Sequence, residues 1–530
     1  MAVHVTETLL KRSASQSQSL GDKIVRNAAS GVLRMVVVAP IPFLLTPFLL
    51  RHVGTMGYGT WAVLLSINGL TALADLGVVG TLTKHISEHF THQDYVKVNR
   101  VVNAGILMFL VIAALCALAI NLTSGFLISV FFRQSSLAVW QLQHLIRLLT
   151  IAIALNLLAF PFASVISGLQ RLDLSNLLWA LSAIITALLA AVFVTLGQGI
   201  AGLIHAIVLT SSILFVLNAV LAWRLLPQLR IEPRMLRMDD INELCSFSLQ
   251  VYVAQMATAV YFHTEKLLLA HFTGPTPVGW YDIANDLAMK IRNGPALMLV
   301  PLMPAAAELK ARGDDAKTSE LYYRTHKYLA VLSVATVTIV GLLAHRFVEL
   351  WLGLGFSATS KALIVLTVVQ IGNLVGGPAL LILVGKGNLR PAVRFAVAGM
   401  VGTVILSTVL ISRFGFTGAL YGTSISVLAA TVYLVYMFHQ EMSYSGRRLI
   451  HIYVKPVMWG ICVAALIGCL VPVSRLHWPG MIAASFGITI ANGAGLLLLR
   501  YFDVLDLRAL ERFLPVPHLL RRSSLFSDVS

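Results

Sequence analysis

Charged side chains stand inside long apolar stretches of this sequence, and they are the residues whose chemistry is easiest to interpret. Arg34 follows Val32 and Leu33 and precedes Met35, and no acidic residue is near it in the sequence. In the hydrocarbon of a membrane an ionised side chain costs at least ~2.5–3.5 kcal/mol, so it usually faces a water-filled cavity or a partner. Arg34 is therefore a candidate for contacting an anion.

A second group of charges lies near residue 290. Asp286 precedes Lys290 by four positions, a spacing that lets the two side chains pair on one face of a helix. The residues three and four positions from Arg292 are not acidic. Arginine binds phosphate or pyrophosphate through paired hydrogen bonds, so Arg34, Lys290 and Arg292 together predict a cationic cavity for an anionic ligand. The alternative is that these bases only fix helix packing, and for Lys290 the two interpretations weigh equally.

Acidic residues in apolar stretches form the other candidate set. Asp75 lies seven residues after Asn68, on the same face of a helix, and Glu265 directly precedes Lys266. For Asp75 a structural role is the favoured interpretation. Asp75, Asp286 and Glu265 are thus predicted either to stabilise the helices or to couple a conformational change to ion movement.

The elements that position these residues are apolar helices. The chain has 530 residues, of which 58% are hydrophobic and only 12% charged, against about a quarter charged in an ordinary soluble domain. Runs of about 18 or more apolar residues are long enough to cross a membrane as helices. The sequence predicts an all-α polytopic membrane protein with about fourteen spans: 28–50, 58–83, 101–121, 143–168, 177–196, 200–223, 243–270, 279–307, 325–346, 361–384, 392–412, 417–438, 454–472 and 480–500.

The distribution of basic residues orients these spans. Of the 39 lysines and arginines, 28 fall in segments on the same side of the membrane as the N-terminus. Because cytoplasmic loops are enriched in lysine and arginine, both termini are predicted to be cytoplasmic. The same bias explains the net charge of +16. The basic residues are spread over many short loops, so nucleic acid is not a predicted partner.

Short motifs recur at an offset near 220 residues. Gly57-Tyr58-Gly59-Thr60-Trp61 resembles Val278-Gly279-Trp280-Tyr281, and Gly168-Leu169-Gln170-Arg171 resembles the segment from Gly385 to Arg390. Leu196-Gly197-Gln198-Gly199 likewise resembles Phe414-Gly415-Phe416-Thr417-Gly418. An offset of six spans preserves orientation, so the repeat predicts two parallel six-helix lobes with a substrate site between them. The predicted divisions are a cytoplasmic segment 1–27, an N-lobe 28–223, a C-lobe 243–438, two further spans 454–500 and a cytoplasmic tail 501–530.

Several classes of function are disfavoured. There is no Gly-x-x-x-x-Gly-Lys-Ser/Thr motif, which argues against a P-loop ATPase. His85, His89 and His92 have helical spacing but no cysteines near them, and neither a metal nor another cofactor is predicted. A membrane glycan polymerase or glycosyltransferase usually needs a large outer loop with catalytic groups. The longest predicted outer loop, from Leu122 to Leu142, has no Asp, Glu or His, so an enzyme is not predicted.

The motifs also carry a family resemblance. The stretch from Arg51 to Trp61, followed by Asp75-Leu76-Gly77, resembles the start of bacterial polysaccharide exporters and O-antigen flippases of the Wzx type, as do Gly168-Leu169-Gln170-Arg171, Gly279-Trp280-Tyr281 and Pro304. These proteins belong to the multidrug/oligosaccharidyl-lipid/polysaccharide (MOP) exporter superfamily. The family often has Asp followed by a base near the end of the seventh span, where this chain has Glu265-Lys266.

The resemblance implies a MATE-like bundle with a central cationic cavity, placed in the cytoplasmic membrane. It implies a flippase that moves an undecaprenyl-pyrophosphate-linked oligosaccharide to the outer leaflet by alternating access. Its partners would be that cargo, membrane lipids and polysaccharide polymerase or assembly proteins. The alternatives are a secondary drug exporter or a lipid II exporter of the same superfamily, and more remotely a membrane glycan polymerase. A drug exporter more typically has twelve spans, whereas a lipid II flippase also has fourteen.

Overall fold

The architecture is helical throughout the part of the chain that the structure describes. The structure is a computed structural model, and it describes residues 26–27, 29–69, 74–75, 77–242, 244, 263–388, 390–503 and 506, with no strand among them. The all-α prediction is therefore confirmed. The predicted terminal segments 1–27 and 501–530 lie mostly outside these residues.

The helices are numbered here in chain order. The first six are α1 (Ala29–Gly69), α2 (Val78–Thr91), α3 (Tyr95–Phe131), α4 (Val139–Gly168), α5 (Leu172–Phe193) and α6 (Gly199–Leu225). The next six are α7 (263–273), α8 (Pro275–Ala296), α9 (Leu302–Ala311), α10 (Asp315–Leu352), α11 (Ser357–Asn373) and α12 (Gly377–Gly385). The last three are α13 (Arg390–Met442), α14 (Gly446–Leu470) and α15 (Trp478–Leu498).

Nine helical stretches in the described residues are long and apolar enough to cross a membrane. Three of them, Ala29–Gly69, Leu172–Leu225 and Arg390–Met442, have 41, 54 and 53 residues and so cover more than one predicted span each. The predicted span 243–270 lies mainly outside the described residues, and 279–307 forms α8 and α9. The chain is a multi-pass membrane protein, while the count of fourteen stays a prediction.

One predicted span is interrupted. The sequence predicts a single helix over 58–83, but α1 ends at Gly69 and α2 begins at Val78. Gly77 precedes α2 with φ 76° and ψ 7°, a left-handed conformation that cannot continue a right-handed helix. Hydropathy alone does not detect this break, because the residues around it are as apolar as the helices.

Local backbone geometry repeats along the chain at an offset near 220 residues. The turn before α3 has Gln93 at φ 58° and the turn before α10 has Gly313 at φ 67°. Each turn is followed by an aspartate that caps the helix: the Asp94 carboxylate accepts from the Lys97 N–H and the Asp314 carboxylate from the Lys317 N–H, both at 3.0 Å. Hydrogen bonds from the Lys317 side chain and backbone lower the pKa of the Asp314 carboxyl below its ordinary value.

The helix breaks match as well. Gly199, where α6 begins, has φ 55° and ψ −132°, and Gly415, which divides α13, has φ 56° and ψ −129°. These two glycines belong to the motif pair that the sequence repeat aligns. The same conformation at matching places supports two copies of one six-span arrangement, as the MATE-like fold class requires.

Contacts divide the chain into two compact units. The first unit comprises Met1–Ile283 and Ala396–Ser426, and the second comprises Ala284–Phe395 and Val427–Ser530. In the first unit α4 packs against α2, α3 and α6, while α1 packs against α5 and α6. In the second unit α10 is central and packs against α11, α14 and α15. The division into lobes at 28–223 and 243–438 stays a prediction.

Candidate functional site

Arg34 lies in the first unit, on the N-terminal part of α1, and it is half-buried. Its neighbours Val32, Leu33 and Val36 are 65%, 63% and 63% exposed, as expected for side chains that face lipid. Among the described residues Arg34 forms neither a hydrogen bond nor an ion pair. A half-buried guanidinium in an apolar helix fits the predicted role of contacting an anionic cargo, which stays a prediction.

Lys290 and Arg292 lie in the second unit, on α8. The Lys290 ammonium pairs with the Asp286 carboxylate, so the pairing predicted from the i, i+4 spacing is confirmed. Both side chains are partly exposed at the protein surface, 32% for Lys290 and 53% for Asp286. Arg292 is half-buried on the next turn of the same helix.

Asp75 contacts the helix that follows it. Its Oδ1 accepts a hydrogen bond from the backbone N–H of Val79 at 3.0 Å. The first N–H groups of a helix have no partner within the helix, and an aspartate that accepts from one of them stabilises the helix start. This geometry supports the structural interpretation of Asp75, because the carboxylate holds the start of α2 at the interruption described above.

The motif that contains Gly59 and its repeat that contains Gly279 pack directly against each other within the first unit. A Cβ added to Gly59 on α1 would lie 1.8 Å from the carbonyl oxygen of Pro275. A Cβ added to Gly279 on α8 would lie 3.4 Å from the Cα of Gly59 and 3.2 Å from the carbonyl oxygen of Thr55. Only residues without a Cβ let two helix backbones approach this closely, which explains the glycines at positions 59 and 279.

A polar cluster lies beside this crossing, formed by Tyr58 on α1, Lys266 on α7 and Asp282 on α8. The Tyr58 hydroxyl donates to Asp282 Oδ2 at 3.1 Å, and the Lys266 ammonium pairs with Asp282 Oδ1. The side chains of Lys266 and Asp282 are only 16% and 13% exposed. The Tyr58–Lys266–Asp282 cluster thus joins a helix of the predicted N-lobe to two helices of the predicted C-lobe.

Glu265 occupies a separate buried pocket. It is 3% exposed, and its Oε2 accepts a hydrogen bond from the Ser407 hydroxyl at 2.8 Å. Ser407 lies on α13, before the Gly415 break, and packs against Gly422 after the break. Thr423, one residue further, contacts the hydroxyl of Tyr281 at 3.1 Å. Thr423 also hydrogen-bonds to Glu265, so both halves of α13 contact this carboxyl group. Its burial fits a structural or a coupling role and excludes direct exposure to bulk solvent in this conformation.

The Tyr58–Lys266–Asp282 cluster is not among the sites predicted from the sequence. Lys266 and Asp282 are sixteen residues apart on consecutive helices, so no helical spacing rule links them. The available signal was that two opposite charges lie near the predicted outer ends of adjacent spans. The arrangement can hold three helices together at that end, and it can release them if the ion pair opens.

Comparison with known proteins identifies the family. The model of the family described as "Polysaccharide biosynthesis protein" matches residues 24–310, which is more than half of the chain. The chain belongs to this family. The matched residues include α1 to α8, and with them Arg34, the Tyr58–Lys266–Asp282 cluster, Lys290 and Arg292. The family resemblance noted in the sequence is confirmed.

Individual relatives of this polysaccharide biosynthesis protein are transporters by name. It is 22% identical over 431 residues to a putative O-antigen transporter of Shigella flexneri, covering 79% of this chain and 99% of the relative. The inward closed conformation of the lipid II flippase MurJ superposes with a TM-score of 0.70 at 12% identity, over 88% of this chain and 99% of that one. An inward-facing MATE transporter of the MOP superfamily superposes with a TM-score of 0.61 at 15% identity, over 78% and 98%. These similarities show that the chain has the fold of MOP-superfamily transporters and flippases.

Proposed function

We propose that this protein is a flippase for an undecaprenyl-pyrophosphate-linked oligosaccharide in the cytoplasmic membrane, with both termini in the cytoplasm. The match to the polysaccharide biosynthesis family carries this proposal, and the resemblance to a protein named as an O-antigen transporter supports the class of cargo. The reaction makes and breaks no covalent bond. The protein has only to shield the polar head of the cargo from hydrocarbon while that head crosses.

Arg34, Lys290 and Arg292 are the residues we propose to contact the pyrophosphate. A pyrophosphate carries several negative charges, and a guanidinium binds such a group through two parallel hydrogen bonds. Lys290 is already paired with Asp286, so its attraction for the cargo is reduced. Arg34 and Arg292 are the principal binding residues in this proposal, because a guanidinium can bind the pyrophosphate through paired hydrogen bonds.

Alternating access requires the Tyr58–Lys266–Asp282 cluster to open when the cargo leaves toward the outside. The cluster lies at the end of the helices that the charge distribution predicts to be outer. An ion pair with limited solvent exposure suits such a gate, because water that enters on opening can solvate both separated charges.

The decisive experiment measures glycan export in cells that depend on this protein. We expect Arg34→Ala and Arg292→Ala each to abolish export while the protein remains in the membrane. Arg34→Lys should rescue only in part, because an ammonium keeps the charge but loses the paired hydrogen bonds of the guanidinium. Arg413→Ala serves as the control, because Arg413 is an exposed arginine at the predicted outer side.

Two outcomes would change the proposal. Full export by both alanine variants would show that Arg34 and Arg292 are structural. A lipid II flippase shares the polyprenyl-pyrophosphate and differs in the sugar, so complementation separates the two functions. One test asks whether the gene restores growth to cells that lack their lipid II flippase, and the other asks whether it restores polysaccharide export to cells that lack their oligosaccharide flippase. If only growth is restored, the cargo is lipid II.

A further inference from the structure

A cavity of about 730 Å³ opens in the second unit, at the end of the helices predicted to be cytoplasmic. Its walls are the part of α10 near residue 324, the first half of α14 and the segment that follows α15. Its basic lining residues are Arg324, Lys327, Arg448, Lys455 and Arg500. None of these residues belongs to the Tyr58–Lys266–Asp282 cluster or to the proposed cargo-binding residues.

Each acidic residue of the cavity takes part in an ion pair. The Lys327 ammonium pairs with both Asp503 and Asp506, which fastens the segment after α15 to α10. Glu320 lies 2.7 Å from the Arg324 guanidinium, one turn away on α10. These pairs account for the three acidic side chains that line the cavity, and two of its basic residues are occupied by them.

Three basic residues remain. The Arg448 guanidinium lies over the ring of Tyr323, 4.2 Å from the ring centroid, which fixes its position at the rim. Lys455 lies seven residues further along α14, about two turns, and therefore on the same face. In the part of the chain that the structure describes, Arg448, Lys455 and Arg500 form no ion pair with an acidic side chain. Five lysines and arginines against three acidic residues leave the lining of the cavity with a net charge of +2.

An apolar face continues from the cavity along α14. Val454 lines the cavity and is 46% exposed, and Ile450 and Met458, one turn before and after it, are 65% and 59% exposed. A ligand that fills the cavity and also covers this face must carry an anionic group beside hydrocarbon. Soluble phosphates lack the second feature.

We propose that this cavity binds the phosphate of an anionic membrane lipid, with the acyl chains along the exposed face of α14. Arg448 contacts the phosphate through its fork of N–H groups, and Lys455 and Arg500 add charge beside it. Basic pockets between transmembrane helices at the cytoplasmic side are suited to anionic head groups. The site is separate from the proposed cargo site, and its occupancy does not depend on the nature of the cargo.

The test uses the purified, delipidated full-length protein and native mass spectrometry with dioctanoyl-phosphatidylglycerol as the probe. We expect one lipid to bind with high affinity to the natural protein. Arg448→Gln/Lys455→Gln should weaken that binding by about tenfold or more, because each basic group near a lipid head group contributes about 1 kcal/mol. Arg413→Gln/Arg475→Gln removes the same charge from exposed positions at the predicted outer side and should bind as the natural protein does.

Each remaining result has a defined meaning. Equal binding by the natural protein and Arg448→Gln/Lys455→Gln overturns the proposal. Equal binding of dioctanoyl-phosphatidylcholine also overturns it, since that lipid has no net charge. If inorganic phosphate displaces the lipid at the same concentration, the site binds soluble phosphate and the lipid assignment is wrong. Lys455→Gln/Arg500→Gln, which leaves the Arg448–Tyr323 contact in place, should show the same loss and gives the answer if the first variant does not fold.

Discussion

At the scale of single residues, the mostly buried ion pair between Lys266 on α7 and Asp282 on α8 makes a prediction about stability. With 16% and 13% of these side chains exposed, removing one partner leaves the other poorly solvated. We expect Lys266→Met alone and Asp282→Leu alone each to destabilise the protein by about 2–3 kcal/mol, somewhat below the ~3–5 kcal/mol of fully buried pairs. The double variant should recover most of that loss. Thermal unfolding of the purified protein measures this, and a double variant as unstable as the sum of the single variants would contradict it.

Residue contacts were predictable from the sequence only where helical spacing determines them. The Asp286–Lys290 pair follows from two positions four residues apart, and the structure confirms it. The partners of Lys266 and Glu265 lie on other helices, at Asp282 and Ser407, so no local rule could identify them. Asp75 illustrates an intermediate case, in which a structural role was predicted but the helix start that it stabilises was not.

At the scale of helices, the matching conformations of Gly199 and Gly415 indicate that both breaks require glycine. At φ near 55° and ψ near −130°, a side chain is strained whatever space surrounds it. Gly199→Ala and Gly415→Ala should each cost about 1–3 kcal/mol of stability, seen as a lower unfolding temperature. An added Cβ at Gly199 meets nothing within 4 Å and at Gly415 only Thr273 Cγ2 at 3.5 Å, so the loss would come from the backbone.

Gly125 supplies the matched control for those variants. It lies within α3, and a Cβ added there also meets nothing within 4 Å. Gly125→Ala should therefore leave the unfolding temperature unchanged or raise it slightly, since alanine is about 0.5–1 kcal/mol better than glycine in a helix. If all three variants unfold at the same temperature, the breaks at Gly199 and Gly415 do not need glycine.

Hydropathy located the helices better than it located their ends and breaks. Apolar runs predicted α3, α4, α14 and α15 as separate spans, because burial in lipid depends on composition over about twenty residues. The same signal extended a single span across 58–83, where Gly77 has a left-handed conformation just before α2 begins. A glycine in a left-handed conformation looks the same in a sequence as a glycine inside a helix, so only the structure distinguishes the two.

At the scale of the whole molecule, the internal repeat and the fold agree. The third pair of sequence motifs at an offset near 220 residues corresponds to helix breaks with matching backbone angles, at Gly199 and Gly415. The superpositions on the lipid II flippase and on the MATE transporter cover 88% and 78% of the chain and agree with that fold. The proposed cargo site could be predicted only as a set of cations, because the shape of such a site depends on several helices and not on any single one.

Movement of the predicted lobes can be tested at their contact near the predicted outer end. His271 on α7 has its Nδ1 3.1 Å from the backbone oxygen of Val130 on α3, so a helix of the predicted C-lobe contacts one of the predicted N-lobe. In a chain whose four natural cysteines are replaced by alanine, Val130→Cys/His271→Cys should be joined by a short reducible bis-thiol reagent. If export requires this contact to open, cross-linking should stop export and reduction should restore it.

The control is a Thr186→Cys/Thr210→Cys variant, because the natural hydroxyls of these residues lie 3.1 Å apart on α5 and α6 of the predicted N-lobe. Cross-linking this pair should leave export unchanged. Normal export by the cross-linked Val130→Cys/His271→Cys protein would mean that the cargo leaves without separating α3 from α7, and the alternating-access mechanism proposed here would be wrong.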